Sequence, residues 1–66
     1  MNIQLNNKPI EVQHSISIEE LINSQTISSK GIAVAVNGSV VSKSEWQNVK
    51  IKENDNIIII TATQGG

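Results

Sequence analysis

The chain contains no cysteine, no arginine, no phenylalanine and no tyrosine, and only one proline, one tryptophan and one histidine among its 66 residues. Without cysteine, disulfides, thiol nucleophiles and thiolate-built zinc sites are all excluded. His14 stands alone, so it builds no metal cluster, and its polar surroundings read as a solvated loop. Arginine is the residue best suited to bidentate phosphate and base contacts. Its absence, with Lys8, Lys30, Lys43, Lys50 and Lys52 spread along the chain and no aromatics interleaved for base stacking, argues against a nucleic-acid partner. The formal net charge of −1 gives no basic or acidic tail to steer one either. Apolar runs are too short to span a bilayer, and no signal peptide precedes the first strand-like segment. The expectation is a cytoplasmic protein, without membrane association and monomeric when free.

What the chain does contain is isoleucine and valine, twelve and six residues respectively. β-branched residues favour strands. Sixty-six residues make one domain, whose core is marginal in size. "NIQLN" alternates polar and apolar residues as a half-buried strand does, "NNK" supplies turn residues, and "PIEV" restarts with Pro9 at a strand beginning, where a missing N–H is tolerated. The period then changes. In "SIEELINSQ", Ile18, Leu21 and Ile22 fall on one helical face, and Ser17 with Glu20 has the spacing of a capping box, predicting a helix over 18–25. Gly31 marks the far side of the following turn. "IAVAV" is strand-like, with Ile32, Val34 and Val36 on one face and Ala33 and Ala35 on the other. Asn37-Gly38 is the strongest short turn signal in the chain. Ser42 and Glu45 repeat the capping-box spacing and suggest one helical turn. "VKIK" reads as a brief edge strand with Lys50 and Lys52 outward. "END" turns the chain into "NIIIITAT", the last strand.

Strands at both ends and a single helix between them give an α+β fold, the helix lying across one face of a mixed sheet. Four consecutive isoleucines suit a central strand, the first and last strands pairing in parallel. Successive side chains point to opposite faces, so one helix covers only half of them. Two of Ile57, Ile58, Ile59 and Ile60 therefore lie beneath the helix and two face outward, where an apolar patch marks a partner surface. Trp46 reads as a core plug near one end of the sheet, with a partner contact as the alternative. Gln64, Gly65 and Gly66 follow as an unstructured tail, giving a domain over 1–63 and a tail over 64–66. No base, metal set or oxyanion donor accompanies them, so the chain is expected not to be an enzyme and to hold no cofactor.

A sheet of about five strands with one helix, whose last strand runs out into Gly-Gly, resembles the ubiquitin-like β-grasp proteins. Within them the chain resembles the thiamine-biosynthesis sulfur-carrier family over its whole length. The likeness is carried by "MNIQLNNKPIEV", Leu21, "AVAVNGSVVSKSEW" and "DNIIIITATQGG". Ser42-Lys43 stands where that family usually has Pro-Arg, Asn54 where Gly is frequent, and Asn7 where Gly is common in the first turn. The resemblance implies that an E1-like, ATP-using adenylyltransferase activates Gly66. A persulfide sulfur donor then converts it to a thiocarboxylate, and a thiazole synthase receives the sulfur, Gln64 and Gly65 serving as the segment inserted into the enzymes. The resemblance also implies that Ile57 and Ile59 are buried, with Ile58, Ile60 and Ala62 as the partner-binding patch on the open face. Two related roles end in the same residues: the small subunit of molybdopterin synthase and a carrier for cysteine synthesis. A non-covalent β-grasp interaction module is the alternative from another class. A carboxylate has a pKa of about 3.3–3.7 at a chain end, so at neutral pH it is ionised and able to attack a phosphate. Three residues beyond Thr63 reach roughly 10 Å when extended, and the absence of Cβ at two of them suits a narrow channel.

Overall fold

The computed structural model describes residues 1–25 and 31–61. Among these, β1 (Asn2–Leu5) and β2 (Lys8–Glu11) form a hairpin, followed by α1 (Ile18–Ser24). A second hairpin, β3 (Ile32–Val36) and β4 (Ser39–Val41), precedes a single 3-10 turn over Lys43–Glu45, and β5 (Asn56–Thr61) closes the sheet. The sheet order is β2-β1-β5-β3-β4, so the strand that comes last in sequence lies at the centre. It runs parallel to β1, with Gln4 opposite Asn56, and antiparallel to β3, with Val34 opposite Ile59. This is the β-grasp arrangement that the resemblance implies.

Both hairpins turn on two residues in the left-handed region. Asn6 and Asn7 have φ of 52° and 68°, and Asn37 and Gly38 have 52° and 88°. Turns of this hand match the right-handed twist of the strands they join. Asparagine is the non-glycine residue best able to adopt them, because its short polar side chain bonds locally. Each turn sets the register of its hairpin: Leu5 pairs with Lys8, and Val36 with Ser39.

The helix begins where the capping box predicts. The Glu20 N–H donates to the Ser17 hydroxyl at 3.1 Å, and the Ser17 N–H donates to the Glu20 carboxylate at 2.8 Å. Ile18, Leu21 and Ile22 are buried. They pack with Ile3, Val34, Ile57 and Ile59 from the sheet and with Trp46 and Ile51 from the connection between β4 and β5. Burying each such side chain contributes about 1.5–3 kcal/mol.

Three sequence expectations are settled or revised here. Trp46 belongs to the core: it is buried, and its indole Nε1–H donates to the Val41 carbonyl at 3.0 Å. The segment "VKIK" is not an edge strand. Lys50 makes one isolated bridge to Ser17, and the edge position next to β3 is filled by Ser39–Val41, which the Asn37-Gly38 turn folds straight back. Residues 49–52 instead run past the start of α1, where the Ile18 N–H donates to the Val49 carbonyl and the Ile51 N–H to the Ile16 carbonyl, and Ile51 is driven fully into the core. The second Ser-x-x-Glu gives its helical turn without the box. Ser42 makes no side-chain cap; its hydroxyl lies 3.3 Å from that of Ser44, and the turn closes through the Glu45 N–H to the Ser42 carbonyl.

The capping box sets two expectations for chemical denaturation. Ser17→Ala lowers stability by about 1 kcal/mol. The Glu20 carboxyl is held below its ordinary value of 4.5, first by the Ser17 backbone N–H and then by the Ser17 hydroxyl. A depressed folded-state pKa means the contribution is present above the unfolded value and lost as pH falls through the folded one. The stability advantage of the wild type over Glu20→Gln therefore shrinks as the pH drops below 4.5. A difference independent of pH between 3 and 7 contradicts this account of the box.

Candidate functional site

The site is built outward from β5. Its start is held by side-chain amides rather than by neighbouring strands alone. The Asn56 N–H donates to Asn37 Oδ1 at 2.9 Å, while Asn37 Nδ2 donates to Asp55 Oδ1 at 2.9 Å. The other Asp55 oxygen accepts from the Lys52 N–H at 2.7 Å, which closes the turn leading into the strand. On the opposite side the Asn6 N–H donates to the Ile57 carbonyl, and the Ile59 N–H donates to Asn6 Oδ1, both at 2.8 Å. One asparagine thus does for two positions of β5 what two further residues of β1 would have done, at the point where β1 turns away.

Along β5 the burial alternates. Ile57 is fully buried and Ile59 nearly so, while Ile58 is half-buried and Ile60 is 59% exposed on the open face. Register places Ala33 opposite Ile60, Ala35 opposite Ile58, and Val40 opposite Ala35. Val40 is 79% exposed. These five residues form an apolar patch over β4, β3 and β5. The neighbouring open face of β1 and β2 is polar, carrying Asn2, Gln4, Pro9 and Glu11. An apolar area with a polar border is how a docking surface differs from scattered surface aliphatics. Val40 was missed in the sequence because "VV" after the Asn-Gly turn was not given a strand. The signal was available, since a two-residue turn of this kind requires a returning strand.

Of the candidate residues, Ile58 and Ile60 fall together on this patch. Ala62, Gln64, Gly65 and Gly66 lie outside the described residues. Among the described residues no three His, Asp or Glu side chains converge to hold a metal ion. None of their helices is long and apolar enough to cross a membrane.

The ThiS family model matches residues 3–66 of this sequence. This chain belongs to the ThiS family. It is similar to a crystal structure of a thiamine biosynthesis protein (ThiS) from Geobacter metallireducens, with 25% identity and a TM-score of 0.88 over the full length of both chains. A solution structure of a thiamine biosynthesis protein from the same organism, 23% identical, matches with a TM-score of 0.80 over all of this chain and 88% of the other, and supports the fold. An uncharacterized protein, ycf40, from Porphyra purpurea is 27% identical over all 66 residues and 93% of its own length. As a ThiS-like sulfur carrier, the protein is a small carrier and not a catalyst.

The departures at Asn7, Asn54 and Ser42 have conformational explanations, while nothing in the structure explains Lys43. Asn7 and Asn54 stand at φ of 68° and 69°, the left-handed region that glycine enters most freely. Ser42 holds φ −67°, the value at which a proline ring would fix it. The backbone of this ThiS-family chain is therefore kept while the side chains change.

Asn6 is the residue on which the end of β5 most depends. Asn6→Ala loses both the acceptor for the Ile59 N–H and an easy left-handed conformation, and costs about 1–3 kcal/mol. Asn6→Asp keeps both and retains most of the stability. Equal stability of the Ala and Asp variants in urea unfolding rules out the bridging role.

Proposed function

We propose that this chain carries sulfur on the carboxylate of Gly66 for thiazole formation in thiamine biosynthesis. The observation that carries the reading is the position of β5. The central strand delivers the chain at Thr61 beside an apolar patch, and the family match continues from there to Gly66. The five residues after Thr61 span at most about 18 Å, so an enzyme seated on Ile58, Ile60 and Val40 has the carboxylate within reach of a recessed active site.

The chemistry follows from the carboxylate's own properties. Ionised, it is a nucleophile toward phosphorus but a poor acyl electrophile. In the E1-like adenylyltransferase one carboxylate oxygen attacks the α-phosphorus of ATP, pyrophosphate leaves, and the acyl carbon gains AMP as a leaving group. The terminal sulfur of a persulfide donor then attacks that carbon and expels AMP, leaving an acyl disulfide. A thiol cleaves its S–S bond, so that the thiocarboxylate departs as the reduced product and the thiol and donor sulfur join as a disulfide. The thiocarboxylate sulfur is the better nucleophile, suited to transfer into a thiazole ring by the thiazole synthase. Gly65 and Gln64 form the segment inserted into these enzymes, and Ala62 continues the patch toward it. A cytoplasmic, monomeric carrier is part of the same reading.

The test uses the adenylyltransferase, Mg-ATP and a persulfide source. Intact mass is expected to rise by the difference between one sulfur and one oxygen, mapping to Gly66. Gly65→Val suppresses the exchange through its added branched side chain, and deletion of Gly66 abolishes it, because catalysis tolerates misplacement of even about 1 Å poorly. A deletion variant that acquires sulfur as fast as the intact chain refutes the carrier reading and leaves a non-covalent interaction module.

Docking is tested separately. Ile60→Lys changes a side chain on the open face and is expected to shift folding stability by no more than about 0.5 kcal/mol. Binding to the adenylyltransferase, followed by titration calorimetry, is expected to weaken about tenfold or more, as a charge placed in an apolar contact does. Unchanged affinity removes Ile60 from the interface.

A further inference from the structure

In an antiparallel ladder, residues that exchange both bonds alternate with residues whose main-chain groups point the other way. The Asn37 N–H donates to the Asn56 carbonyl, which fixes the phase: Asn56, Ile58 and Ile60 turn their main-chain groups toward β3, and Ile57, Ile59 and Thr61 turn theirs toward β1. On the β1 side the pairing covers only Gln4 with Asn56 and Leu5 with Ile57. Asn6 extends it by one bond, taking the Ile59 N–H on its side chain. Beyond that point β1 has turned into the hairpin with β2. Among the described residues, nothing bonds the Ile59 carbonyl or the N–H of the exposed Thr61 on that side. Among the described residues, the last residues of the central strand are therefore paired on one side only, through Ala33 and Ile32 of β3.

We propose that this half-open end of β5 is a strand-pairing seam, and that its occupant is an extended main-chain segment of the enzyme that takes up the Gly66 end. The inference rests on the carrier reading and adds to it how the strand is gripped. An open strand edge offers alternating donors and acceptors to another extended chain, and added strands are a recurrent mode of peptide recognition. The seam offers the Ile59 carbonyl as acceptor and the Thr61 N–H as donor. A partner segment that pairs here aligns the chain without reading its side chains, as suits a stretch ending in two glycines. A second copy of this chain is the poorer occupant, because the seam is too short to hold a dimer by itself. The apolar patch that would have to assist lies on the sheet face rather than at this edge.

Amide hydrogen exchange resolved by residue tests the seam on the intact protein, alone and saturated with its E1-like adenylyltransferase. In the free protein the Thr61 amide is expected to exchange rapidly, while the Ile60 amide, paired with Ala33, is protected. In the complex, Thr61 exchange is expected to slow by about tenfold or more. Thr61→Pro, which deletes the N–H facing the seam and leaves the Ile60 pairing in place, is expected to weaken binding about tenfold. Thr61→Val, which keeps the N–H, binds as the wild type does. Gly66 adenylate forming normally while Thr61 exchange stays fast overturns the seam and leaves the carrier reading intact. Thr61 protection that rises with the concentration of this chain alone overturns it in favour of a second copy. Failure to form the adenylate or any complex refutes the carrier reading, and the seam with it.

Discussion

The constraint on which the rest of this structure depends is the insertion of the last strand between the first and the third. Until β5 is in place, β1–β2 and β3–β4 are two separate hairpins, and isolated hairpins are marginal in water. Ile57 and Ile59 then lie beneath Leu21 and Ile22, and a helix of only seven residues acquires the apolar surface it needs. Short helices are not stable by propensity alone. The helix, the sheet and the core therefore form together, and they do so through contacts distant in sequence: Asn6 and Ile59 are 53 residues apart. Closing so long a loop is entropically unfavourable and must be offset by the burial that follows.

Asparagine has an unusual share in offsetting it. Asn6, Asn7, Asn37 and Asn54 all occupy the left-handed region, where most side chains are strained. Two of them do more than turn the chain. Asn6 and Asn37 reach across to β5 from opposite sides and accept from the Ile59 and Asn56 N–H groups, so the turn residues of both hairpins also bond the strand that unites them. Glycine at either place adopts the same backbone but contributes no such bond. The polar side chain thus links local turn geometry to long-range register, and that coupling is what holds a central strand only six residues long.

Much of this was legible in the sequence, and the limits of legibility have physical causes. Strict alternation identified β1 and β3, and the Ser17–Glu20 spacing identified the helix start, because both signals are local. That the isoleucines of 57–60 alternate between the faces followed from a period of two and a single covering helix, while the choice of the buried pair came from the β-grasp resemblance. The segment 49–52 was misread because Val49 and Ile51 alternate with lysines as an edge strand does. Nothing local distinguishes a side chain packed on a sheet from one pushed beneath a helix start, and Ile51 is the latter. The Ser42–Glu45 spacing gave the turn and not the cap, since a 3-10 turn of three residues is closed by its own main chain. The Asn6 bridge to Ile59 was invisible for a different reason: an asparagine in a turn carries no mark of what its amide reaches 53 residues away.

The same arrangement explains why a carrier can be a stable domain and still surrender one end of its chain. The first half of β5 is held on one face by the helix and on both edges by β1, β3 and two amides. Among the described residues, the strand from Ile60 onward keeps only β3 beside it, and the Ile60 side chain is exposed on the open face. The packing that maintains the fold therefore ends at Ile59, two residues before the strand does. An enzyme that engages the chain from Ile60 onward leaves the described core contacts in place, and it supplies contacts of its own: apolar contact on one face and, in our proposal, main-chain pairing at the free edge. A strand with one end fixed along both edges and under the helix, and the other held by a single neighbour, thus separates the folding of the carrier from the handling of its cargo.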